Sequence, residues 1–212
     1  MNIFALDENP CTAAKYHMDC HVVKMILEYG QLLSGCGHLM GIAPEAIPYK
    51  LTHKRHPCTL WVCESSANYR WLFKLLFYLH KEYEFRYNKI HSSAKYLPKF
   101  QRLQSLLLDV QPRIGQTPFP QAMPDFCKAR DSINAYRNLY VNVKSRMKRA
   151  GWHKAREFPR WYGNYRGVSV KYGQWFLSPD SYILEDLGIR DNERSCFDTG
   201  PLFDSIGKLL EA

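Results

Sequence analysis

The chain has 212 residues, 46% hydrophobic and 14% aromatic, which suits one globular domain with an appendage and excludes a disordered chain. Its formal charge of +9 is unevenly spread: residues 177–212 carry three basic and eight acidic side chains, net −5, which leaves 26 basic and 12 acidic, net +14, in residues 1–176. Such a surplus suits a polyanionic partner, and no run approaches the roughly 18 apolar residues of a membrane span.

Seven cysteines in irregular spacing, with no CxxC pair, read as free thiols in a reducing, cytoplasmic compartment. The N-terminus MNIFALDENP has no charged region ahead of an apolar run, so no signal peptide is expected.

In chain order, residues 2–6 read as a short strand or an extended arm, followed by a turn in which Thr12 is a candidate cap. Residues 13–34 read as a helix. Residues 35–57, rich in Gly and Pro, read as a long loop. Residues 58–88 read as the longest helix, with Leu60, Ala67, Trp71, Leu75 and Leu79 as its buried stripe. Residues 95–109 form a further helix, a proline-rich irregular stretch follows, and residues 125–150 are helical again. From 151 onward no period is visible. The expected fold is mainly α: a helical domain over 1–176 with a short N-terminal arm and an irregular C-terminal segment, then an acidic appendage over 177–212.

The first helix carries an unusual polar stripe. His17, His21, Lys24, Glu28 and Gln31 all lie within about 40° of one direction at 100° per residue. Val22, Val23, Ile26, Leu27 and Leu33 occupy the other sides, so the helix reads as buried on most faces with one ionisable seam. A solvated face with i,i+4 pairs is one reading. A catalytic face is the other: Glu28 offers a carboxylate for proton transfer, and Lys24 a cation beside it. A metal site is a third, since His17 and His21 can reach one ion and His53 and His56 would complete it.

The segment KLTHKRHPC, residues 50–58, ends at a proline suited to a first helical turn, so Lys54, Arg55 and His56 sit where a helix N-terminus would meet a phosphate. Residues 144–166 hold eight basic side chains against one acid, Glu157, with aromatics interleaved. Lys144, Arg146, Lys148, Arg149, Arg160, Trp161, Tyr162 and Tyr165, with Arg137 ahead of them, are the candidate DNA contacts. Some of these rings are expected in the core.

Three stretches resemble the pyrimidine-dimer DNA glycosylases of the phage endonuclease V type and their bacterial relatives. These are the N-terminus running into DCHVVKMILEYGQ (19–31), His56-Pro57 followed by Trp61, and FPRWYGNY (158–165). Residues 116–125 and 135–140 resemble phage-type relatives as well. The resemblance implies a compact helical fold, an α-amine nucleophile and a catalytic glutamate, here Glu28. The amine attacks C1′ of the damaged nucleotide, expels the base and forms an imine with the sugar, and the glutamate assists strand cleavage by β-elimination. An α-amine near its ordinary pKa of about 8 is partly neutral and nucleophilic at pH 7. Family members expose a small residue after losing Met. Asn2 is too bulky for that, so the expected nucleophile is the amine of Met1, with Lys24 as alternative and His21, Gln31, His53 and His56 lining the site. Double-stranded DNA is the expected partner of a monomer, with no cofactor. A non-catalytic DNA-binding protein on the same scaffold and a metal-dependent enzyme using His17, His21, His53 and His56 are the competing readings.

Overall fold

The structure is a computed structural model that describes residues 1–163. Tyr165, Arg166 and the stretch 177–212 lie outside the described residues. The described chain is mainly helical, with no strand: α1 Pro10–Lys15, α2 Asp19–Leu39, α3 Pro57–Glu64, α4 Ser66–Tyr87, α5 Leu97–Leu107, α6 Ser132–Asn142 and α7 Arg160–Gly163.

Two helices expected to be continuous are divided. The stretch 13–34 breaks between α1 and α2, and α1 is capped by Asn9 rather than Thr12, its side chain accepting from the backbone of Cys11 and Thr12. The stretch 58–88 breaks at Ser65, which is extended (φ −154, ψ 154) and caps α4 by accepting from Asn68 N. A one-residue hinge leaves the apolar period nearly intact, so periodicity does not register it. The stretch 125–150 contracts to α6, with short 3-10 turns at Asp125–Cys127 and Lys144–Arg146. The loop expected over 35–57 is shorter, because α2 continues through Gly37 to Leu39. A Cβ on Gly37 would lie 3.1 Å from the Leu103 side chain, so the glycine marks close packing on α5 rather than a helix end.

The amphipathic α4 is the centre of the fold and packs on α1, α2, α3 and α5, while α2 also packs on α3 and α5. Residues 2–6 form a buried arm, not a strand. Irregular buried backbone needs hydrogen-bond partners. Here side chains from two helices supply them, Tyr29 Oη donating to Ile3 O at 2.9 Å and Arg137 Nε to Leu6 O at 3.0 Å, while Trp71 Nε1 donates to Glu8 O at 2.7 Å in the turn that follows.

A buried ionic network ties the basic tract to the core. Arg86 donates to Glu82 at 2.8 Å, to Asp19 at 3.0 Å and to His17 O at 2.7 Å. Arg156 donates to Glu82 at 3.1 and 2.7 Å, and Asp19 accepts from His153 N at 2.6 Å.

Candidate active site

The arm ends beside the middle of α2. Met1 N lies 3.7 Å from Glu28 Oε2, and the two side chains are only 5% and 13% exposed. Lys24, one helical turn before, puts Nζ 3.1 Å from Glu28 Oε1 while its side chain stays 70% exposed. The carboxylate therefore stands between a sheltered α-amine and an exposed ammonium.

Several groups fix the amine. Asn2 is buried; its Oδ1 accepts from Ile3 N at 2.8 Å and from Cys58 Sγ at 3.9 Å, and its Nδ2 donates to Ala122 O at 3.0 Å. Phe4 has φ 35, a left-handed conformation unusual for a bulky residue. Its ring is held 4.6 Å from that of His21 and 5.2 Å from that of Tyr140. From the α3 side, His56 Nδ1 caps the helix by accepting from Cys58 N at 3.1 Å. Burial lowers the His56 pKa first, the nearby α-amine adds to this, and Glu28 and a hydrogen bond to the Met1 backbone oppose it. Burial pushes the neighbouring Cys58 thiol up to about 12.

The polar stripe is only partly what its spacing suggested. His17 precedes α2 and is wholly buried, with Nδ1 2.7 Å from Ala13 O and Nε2 2.6 Å from Tyr29 Oη. His21 is buried too, bonded to Tyr140 Oη at 2.7 Å, so it does not line an open site as expected. The cause is Phe4, which covers this end of the stripe. Burial holds both imidazoles neutral, with pKa values lowered to about 3. Lys24, Glu28 and Gln31 remain on the open part. Conversely, Val23 (41%) and Leu27 (45%) are exposed, against the expectation that they face the core.

His53, Lys54 and Arg55 are exposed in the turn before α3, near enough for His53 to act electrostatically on His56. The metal-site reading is not supported: among the described residues no group of three or more His, Cys, Asp or Glu is placed to hold an ion.

The candidate DNA contacts divide in the same way. Arg146, Lys148, Arg149 and Arg160 are exposed. Lys144 is half-buried, its Nζ 5.5 Å from the Phe4 ring centroid. Arg137 is committed inside the fold, bound to Leu6 O and Asp7 and lying over Trp161 at 5.4 Å. Tyr162 is buried against Trp152, and Trp161 is half-buried against Tyr16 and Tyr140, so these two rings pack rather than project. Their apolar area is worth more inside a core than in water.

Sequence reasoning missed Asn2 and Cys58 as clamps on the terminus, and Tyr49 and Tyr96 beside α2. Gly30 was the available signal for Tyr49: a Cβ there would lie 2.7 Å from the Tyr49 ring, so a glycine inside a helix marks the seat of an aromatic side chain. No family model matches this chain, and no curated protein or solved structure is detectably similar to it.

Proposed function

We propose that the chain is a DNA glycosylase with associated abasic-site lyase activity on damaged or modified pyrimidines, on a scaffold of the pyrimidine-dimer glycosylase kind. The observation that carries this reading is the 3.7 Å approach of Met1 N to Glu28 in a sheltered site. A buried five-residue arm with a strained Phe4 is costly to build, and it ends by presenting an α-amine to a carboxylate.

In this mechanism the neutral Met1 amine attacks C1′ of the target nucleotide. The C1′–N bond breaks, and the base leaves with the bonding pair and takes up a proton. The amine loses its protons as the C1′=N imine forms and the C1′–O4′ bond opens, with O4′ receiving one proton through Glu28. The Glu28 carboxylate then takes a C2′ proton, the C2′=C3′ bond forms and the 3′ phosphate leaves with the C3′–O pair, and water hydrolyses the imine to release the unsaturated sugar aldehyde and restore the amine. Lys24 and the exposed Arg146, Lys148, Arg149 and Arg160 attract the phosphates. His56, bonded to α3 through Nδ1, stands near the α-amine and Glu28 and feels the charge of both.

Borohydride reduction on an abasic-site duplex tests this. The expected result is a covalent protein–DNA adduct located at Met1, and Glu28→Gln should lose strand cleavage by about 100-fold or more while keeping DNA affinity. Salt-sensitive binding with no adduct would leave a non-catalytic DNA-binding protein.

A further inference from the structure

An open groove of about 400 Å³ runs beside the exposed side of α2 and shares Lys24 with the site at Glu28. Val23 and Leu27 form one wall, and Tyr49, Tyr96, His91 and Lys95 form the other. Val23 and Leu27, two of the aliphatic side chains that α2 leaves exposed, both line this groove.

We infer that the groove receives the pyrimidine base of the nucleotide under attack, an assignment that rests on the proposed glycosylase reading. Its walls are preorganised for a flat ring. Tyr49 is seated over Gly30 and meets Tyr96 edge-on with centroids 5.2 Å apart. Lys95 Nζ sits 5.2 Å from the Tyr96 ring centroid. Aromatic faces flanked by aliphatic side chains hold bases by stacking and apolar contact. The polar fittings suit a pyrimidine's carbonyl edge. His91 Nδ1 takes hydrogen bonds from Ser93 N at 3.2 Å and is 2.7 Å from Ser93 Oγ, which leaves the ring hydrogen on Nε2 as a donor. Lys24 and Lys95 are the charged residues of the lining; Glu28 pairs with Lys24 at 3.1 Å, so Lys95 is the lining cation that attracts the adjoining phosphate.

The test is photocross-linking of the full chain to a duplex carrying 5-iododeoxyuridine in a mispair, with the adduct located by peptide mass mapping. The expected adduct lies on Tyr49 or Tyr96. It should fall about tenfold in Leu27→Glu, whose exposed position keeps the fold intact, as loss of a stacked base requires. A cross-link confined to the aromatic residues of 152–162, no cross-link at all, or a Leu27→Glu yield equal to the parent overturns the groove assignment. The readout needs no catalysis. A groove cross-link without a borohydride adduct sinks the imine chemistry and keeps the groove, and the reverse pattern sinks the groove alone.

Discussion

Asn2 decides where the terminal amine sits. Its side chain makes three contacts with Ile3 N, Cys58 and Ala122 O in a buried position. Asn2→Ala removes them and leaves Ala122 O and Ile3 N short of a partner, a loss of about 1–3 kcal/mol. The same substitution frees the amine to drift from Glu28, so the borohydride adduct should fall further than the loss of stability explains. Equal adduct yield at a temperature where both proteins are folded would remove Asn2 from that role. A short Gly-Ser extension ahead of Met1 is the complementary change. It moves the amine out of a sheltered site and should abolish the adduct while circular dichroism stays unchanged. At this scale the sequence was informative where helical spacing acts locally: Lys24 and Glu28, one turn apart, are together as their register requires. It was silent on Tyr96, which long-range packing brings beside α2, and it marked Tyr49 only indirectly, through the helical Gly30 on which that ring is seated. It misplaced His21, because spacing alone could not show that Phe4 folds back over that turn.

Helices were legible from their apolar period, but their ends were not: Asp131 caps α6 through Ile133 N and Asn134 N, and Ser65 caps α4 through Asn68 N, yet both lie inside stretches whose period reads as unbroken helix. Ser65 is fully buried, so Ser65→Ala should cost about 1–2 kcal/mol, because an exposed cap would let water replace the lost bond and this one does not. Urea unfolding measures it, and a cost near zero would mean that α3 and α4 are held apart by packing alone. The junction of the arm with α2 makes a pH prediction. Unfolded, the His17 and His21 rings protonate near 6.5, and folded, burial delays this to about 3. Between those values the unfolded chain binds more protons, so stability is complete above 6.5 and declines as pH falls toward 3. From pH 7 to pH 5 each ring should remove about 2 kcal/mol. A urea midpoint that is the same at both pH values would show that the rings are not buried neutral.

Among the described residues the positive charge falls into two groups, one committed within the fold and one on the surface. Arg86, Arg137 and Arg156 are bound to Glu82, Asp19, Asp7 and arm carbonyls, so they hold elements together. Glu82 is the hub of two of these pairs, with its side chain 1% exposed, so Glu82→Gln should destabilise by about 3–5 kcal/mol, because it leaves two guanidinium groups short of one anion. Arg146, Lys148 and Arg149 are exposed on the segment that follows α6, and on the proposed reading they are among the residues that would meet DNA phosphates. Each phosphate contact contributes about 0.9 to the slope of log affinity against log salt. Replacing all three by Ala should therefore lower that slope by about 3 if each meets a phosphate, and weaken binding equally for any duplex sequence. The unfolding free energy should stay within about 0.5 kcal/mol of the parent, since exposed side chains away from caps and networks contribute little. Fluorescence anisotropy at several salt concentrations gives the slope. A slope that does not change would place the DNA on another face of the molecule, and the groove beside α2 with Lys24 and Lys95 would then be the surface to test next.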